Sequence, residues 1–142
     1  MRKLKNLQKF APDEIITYKK ISQTTLHLNL FKPAPVKEGM SPCIIFFHGG
    51  GWKGGTPSQF FPQCRYFSSR GLLAVSAEYR LEASYGTDPR ECVKDGKSAI
   101  RWLRRNATQL GIDPFKIAAG GGSAGAHVTA ACATLKSFDD AT

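Results

Sequence analysis

KIAAGGGSAGAHVTAACATL, residues 116–135, is the stretch whose reading decides the fold. Residues 116–119 read as a short strand. Gly120, Gly121, Gly122 and Gly125 then crowd around Ser123, and the Ala-rich residues 126–135 follow with strong helix propensity. Gly121, Ser123 and Gly125 form G-x-S-x-G between strand and helix. That context suits a sharp turn in which small neighbours let strand and helix approach and the serine hydroxyl stands exposed at the apex. The N–H of Ala124, at the head of the helix, gains from the helix dipole.

Working outward, residues 43–47 are continuously apolar, as in a strand buried on both faces of a parallel sheet. Residues 48–55 are too rich in glycine for helix or strand. A helix is expected over residues 58–70, closed by Gly71, then a second buried strand over residues 72–77. After a loop over residues 78–88, Pro89 opens a helix whose apolar positions are Cys92, Ala99, Leu103, Ala107 and Leu110, ended by Gly111. Nearer the start, residues 15–20 and 24–31 read as a half-exposed antiparallel hairpin, with Leu26, Leu28 and Leu30 alternating with polar neighbours. Pro33 and Pro35 break that pattern, and residues 37–40 read as a turn. A hairpin followed by three strand-loop-helix units predicts a three-layer α/β fold, in which three parallel strands and their helices follow the hairpin.

The chain has 142 residues, 42% hydrophobic and 11% aromatic, which suits one domain over residues 1–142. Lys and Arg number 20 against 11 Asp and Glu, a net charge of +9. Six of the positive residues fall in the first twenty, giving a basic N-terminal arm over residues 1–12. A second group lies between Arg90 and Arg105, mixed with Glu91 and Asp95 on what reads as the outer face of the long helix. Charges so placed, with no nucleic-acid-binding motif, exclude a dedicated nucleic-acid surface. Cys43, Cys64, Cys92 and Cys132 are far apart in apolar segments, without C-x-x-C, so buried free thiols are expected and neither a metal site nor a cofactor is indicated. No signal peptide or membrane-length apolar run is visible, which makes the cytoplasm the expected location.

Both glycine-rich loops follow buried strands and therefore share the carboxyl edge of the sheet, where open α/β folds build their sites. A nucleophilic serine needs donors aimed at the carbonyl oxygen that becomes negative. The H-G-G-G run over residues 48–51 can supply them, because glycines let backbone N–H groups reach a ligand. A dinucleotide-binding domain is the competing reading, since Gly120, Gly122 and Gly125 also satisfy G-x-G-x-x-G. It needs an acidic residue about 20 positions on, after another strand, and Asp139 and Asp140 come too early.

His48-Gly49-Gly50-Gly51-Trp52 and Gly121-Gly122-Ser123-Ala124-Gly125, joined by Glu78-Tyr79-Arg80-Leu81 and the long helix, resemble the α/β-hydrolase superfamily. More narrowly, they are similar to the esterase and lipase group related to hormone-sensitive lipase and to acetylxylan and feruloyl esterases. The resemblance implies an ester hydrolase with Ser123 as nucleophile and the N–H groups of Gly50, Gly51 and Ala124 as oxyanion hole. It implies a small ester substrate, short-chain or acetyl, on an acylated sugar among others, and a loop-supporting role for Tyr79 and Arg80. In this superfamily an Asp or Glu and then a His follow the serine. Here only Asp139 and Asp140 follow, with no later histidine, so the chain reads as the N-terminal portion of the fold with later strands missing. A catalytically inactive fragment or interaction module is the alternative, and an unpaired sheet edge predicts self-association. His127 is a candidate base by proximity in sequence, His48 is expected to brace its own loop, and His27 has no recognisable partner.

Overall fold

The computed structural model describes residues 10–36 and 38–139, so most of the basic arm and Asp140 lie outside the described residues. Strands β1 (Glu14–Ile21), β2 (Thr24–Phe31), β3 (Ser41–Phe47), β4 (Leu73–Ala77) and β5 (Ile112–Gly121) form one sheet in the order β1-β2-β4-β3-β5. The three parallel strands are β4, β3 and β5, and the β1–β2 hairpin joins them antiparallel through β2. Five helices complete the described chain: α1 (Phe61–Ser68), α2 (Glu82–Tyr85), α3 (Pro89–Arg105), α4 (Ala107–Leu110) and α5 (Ala124–Thr134).

The unbroken apolar runs are explained by cover on both faces. Cys43, Ile45 and Phe47 of β3 pack with Leu73, Val75 and Ala77 of β4 against Cys92, Ala99 and Leu103 of α3 and Val128 of α5. The intervening Phe46 and Ala74 pack against α1 with Phe31 and Cys64. Helices on each side of a sheet give the expected three layers. β2 is more buried than a half-exposed hairpin strand, because it lies between β1 and β4. Cys43, Cys64 and Cys92 are buried free thiols, while Cys132 is only half-buried.

Several boundaries differ from the sequence reading for local reasons. The expected first helix is a 3-10 turn over Pro57–Phe60 followed by α1. The long helix stops at Asn106, whose side-chain amide donates to the Trp102 carbonyl at 2.8 Å, and α4 continues as a separate turn. β5 begins before Pro114, at Ile112, pairing with Ser41 before its register shifts. Its other side carries no strand among the described residues, and Ala118 and Ala119 are exposed there.

Asp95 is not on an outer face. It is 0% exposed and meets two cations, with Lys19 Nζ at 2.7 Å and the Arg80 guanidinium at 2.8 and 2.9 Å. Lys97 is buried too, donating to the carbonyls of Leu135 and Ser137. A bulge in β1 explains how Lys19 reaches inward. The register shifts between Thr17 and Lys19, so the neighbours Tyr18 and Lys19 are both buried, where strict alternation would separate them.

Candidate active site

Ser123 stands between the end of β5 and the start of α5 with φ 51° and ψ −117°, a left-handed conformation that is strained for a residue with a Cβ. The flanking glycines are required by close approach. A Cβ on Gly125 would lie 1.9 Å from the Phe47 carbonyl oxygen, and one on Gly121 would lie 2.4 Å from the Gly125 carbonyl carbon. The turn is tied by Gly122 N–H to the Phe47 carbonyl at 3.3 Å and by Gly125 N–H to the Gly122 carbonyl at 2.9 Å. Ser123 is exposed, at the head of an eleven-residue helix. This is the geometry that G-x-S-x-G leads one to expect.

The loop over residues 48–55 meets the serine at Gly49. A Cβ there would lie 3.4 Å from Ser123 Cβ and 3.0 Å from the Gly122 carbonyl oxygen, so the two glycine-rich segments touch. The loop turns through Gly50, with φ 138°, and is closed by Lys53 N–H and Gly54 N–H on the Gly50 carbonyl. Among the described residues, the N–H groups of Gly50, Gly51 and Ala124 have no backbone acceptor.

Side chains outside the loop hold it. The Tyr79 hydroxyl donates to the His48 carbonyl at 2.6 Å, and the Tyr79 ring stacks on the His48 imidazole at 4.5 Å. Burial raises the Tyr79 phenol well above its ordinary value, so it stays protonated to donate. Arg80 is fixed in turn by buried Asp95, which accepts its backbone N–H as well as its guanidinium. From the following turn, Glu82 N–H donates to the Trp52 carbonyl and Ala83 N–H to the Lys53 carbonyl. Tyr79 thus supports the loop directly, while Arg80 is held by Asp95 behind it. Gln59, which sequence reasoning passed over, accepts Gly49 N–H at 2.9 Å and reaches the Gly49 carbonyl at 3.4 Å.

The three histidines have different surroundings. His48 is 1% exposed and its Nδ1 donates to the Gly49 carbonyl at 2.9 Å; burial lowers its basicity, against the raising effect of that carbonyl. His127 is exposed, its ring edge-on to Trp52 at 5.3 Å, and its backbone N–H donates to the Ser123 carbonyl. No hydrogen bond joins its ring to the Ser123 hydroxyl among the described residues. His27, expected to be alone, pairs through Nδ1 with Glu78 at 2.8 Å. Among the described residues no group of three or more His, Cys, Asp or Glu side chains could hold a metal ion, and no helix is long and apolar enough to cross a membrane.

Comparison with known proteins gives the chain a family. The BD-FAE family matches residues 28–142. The chain belongs to the BD-FAE family. This BD-FAE chain is 30% identical over 139 residues to carboxylesterase NlhH of Mycobacterium tuberculosis, covering 95% of the chain and 43% of that enzyme. It superposes on esterase 2 of Thermogutta terrifontis phosphonylated by cyclosarin with a TM-score of 0.87 and 43% identity, covering 90% of this chain and 49% of that one. The propionate-bound form of the Thermogutta esterase gives a TM-score of 0.83 and 46% identity over 86% of this chain and 45% of that one. The fold is therefore that of an α/β-hydrolase esterase, of which this chain forms the N-terminal portion, and the ancestry is that of a carboxylic-ester hydrolase. The chain spans less than half the length of the mycobacterial relative.

Proposed function

We propose that this chain carries the acyl-transfer centre of a serine carboxylesterase for short-chain esters, acetylated sugars included. The observation that supports the reading is the close approach of Gly49 to Ser123, an exposed residue with a strained positive φ; the N–H groups of Gly50, Gly51 and Ala124 are the proposed oxyanion donors. The propionate- and butyrate-bound forms of the Thermogutta esterase support a short acyl chain.

In the proposed reaction Ser123 Oγ attacks the ester carbonyl carbon and its proton passes to solvent. The carbonyl π pair moves to oxygen, where the three N–H groups hold the negative charge. Collapse expels the alcohol as alkoxide, which takes a proton from water and leaves an acyl-serine. Water adds to the acyl carbon and loses a proton, the carboxylic acid departs, and Ser123 regains its hydrogen. In the superfamily an acid and then a histidine follow the serine in the chain. Among the described residues no side chain hydrogen-bonds the Ser123 hydroxyl, and an unassisted serine is a weak nucleophile, so slow turnover that rises about tenfold per pH unit without a plateau is expected.

Hydrolysis of p-nitrophenyl propionate as a function of pH tests this reading. Slow turnover that Ser123→Ala removes is expected. Equal rates for the two proteins refute it, and a plateau in the imidazole range that His127→Ala abolishes would assign the base to His127.

The free side of β5 supports self-association with a second copy. An open strand edge presents N–H and C=O groups to a partner, and the exposed Ala118 and Ala119 of β5 are small and uncharged, with Lys116 as the exposed cation of the strand. Light scattering should show dimers or larger species. A monodisperse monomer at high concentration contradicts that part of the proposal.

A further inference from the structure

We infer that Gln59 is a positioning residue for acyl transfer, aiming the Gly50 N–H by pinning the two peptide planes on either side of Gly49. The inference rests on the proposed acyl-transfer site and adds a residue to it.

The two planes are held at four places. The plane between His48 and Gly49 is gripped at its N–H by Gln59 Oε1, at 2.9 Å, and at its carbonyl by the Tyr79 hydroxyl, at 2.6 Å. The plane between Gly49 and Gly50 is gripped at its carbonyl by His48 Nδ1, at 2.9 Å, and by Gln59 Nε2, at 3.4 Å. A carbonyl only accepts, so both nitrogens are donors here. In a trans peptide the N–H points opposite to the C=O. Turning the Gly49 carbonyl toward Gln59 and His48 therefore turns the Gly50 N–H the other way.

Among the described residues Gln59 is the one side chain that holds both planes, and its own backbone is fixed. It lies in the turn Pro57–Phe60, which the Ser76 hydroxyl anchors at the Pro57 carbonyl at 2.7 Å. The next residue, Phe60, stacks on Phe46 with ring centroids 4.9 Å apart and planes 6° from parallel. Without this grip the Gly49–Gly50 plane keeps one side-chain contact among the described residues, that of His48, and the torsions on both sides of it belong to glycines, which populate many conformations. The Gln59 residue as a whole is exposed, so its replacement removes little packing.

The test compares the wild-type chain with Gln59→Ala, Gln59→Glu and Ser123→Ala by steady-state hydrolysis of p-nitrophenyl propionate and by amide hydrogen exchange at Gly49. Misaiming one oxyanion donor should lower kcat in Gln59→Ala by about 10- to 100-fold, with KM within about twofold and the melting temperature unchanged. Gly49 exchange should accelerate in Gln59→Ala and return toward wild type in Gln59→Glu, whose carboxylate still accepts that N–H. Wild-type kcat in Gln59→Ala, or a loss confined to KM, overturns the inference. If the wild-type chain reacts no faster than Ser123→Ala, the acyl-transfer reading fails by itself. Gly49 exchange then decides the pinning: unchanged in Gln59→Ala overturns it, accelerated supports it.

Discussion

Replacing Gly125 by alanine places a methyl carbon 1.9 Å from the Phe47 carbonyl oxygen, 2.5 Å from its carbon and 2.6 Å from the His48 carbonyl oxygen. All three are backbone atoms, so no rotamer change relieves the clash. Either the end of β3 or the head of α5 must move, and both position the candidate site. Overpacking a tight core typically costs 1–3 kcal/mol. With main chain on both sides of the clash, the upper end is expected, about 3 kcal/mol, which for a chain of this size lowers the melting temperature by about 10 °C. Gly54→Ala is the control, since its Cβ meets nothing within 4 Å, and it should change stability by less than about 1 kcal/mol. Thermal unfolding followed by circular dichroism reads both variants. A Gly125→Ala protein that melts with wild type would refute the argument that this glycine exists for backbone approach.

Other perturbations probe the supports of the site. Asp95→Ala removes the buried carboxylate that pairs with both Lys19 and Arg80 and should destabilise the chain by about 3–5 kcal/mol in urea unfolding; a loss below 1 kcal/mol would contradict the burial of that triad. Burial depresses the His48 imidazole below its ordinary value, so the unfolded chain binds more protons than the native one. The resulting stability is present above about pH 6.5 and is lost as the pH falls through the lower native value; the slope of unfolding free energy with pH should flatten in His48→Gln. Burial pushes the thiols of Cys43, Cys64 and Cys92 up to about 12, and that of half-buried Cys132 to about 11. A disulfide reagent should therefore modify Cys132 first under native conditions, and faster labelling of Cys43 would overturn that order.

The central features were legible because each is written in contiguous residues. Apolar runs before Gly-rich loops announced parallel strands whose carboxyl ends carry those loops, and G-x-S-x-G between strand and helix announced the turn at Ser123. What escaped depends on contacts between segments or on a break in periodicity. Asp95 carries a charge at a helix position that looks solvent-facing, and only the Arg80 and Lys19 cations on other elements make its burial tolerable. Lys19 itself was hidden by the bulge beside Tyr18, because alternation is the signal by which a strand face is read. Gln59 has no motif; its part depends on a turn that brings its amide back onto Gly49. His27 was paired only once β2 came to lie beside β4, next to Glu78.

The central claim is that Ser123, held in a strained turn against the Gly49–Gly51 loop, is the nucleophile for acyl transfer. Incubation of the native chain with a fluorophosphonate probe, followed by peptide mass spectrometry, tests it most directly. The account predicts one slowly formed adduct, on Ser123, that vanishes on unfolding the chain before exposure. Modification spread over other serines at equal rates, or none at Ser123 when the folded state is intact, would contradict it.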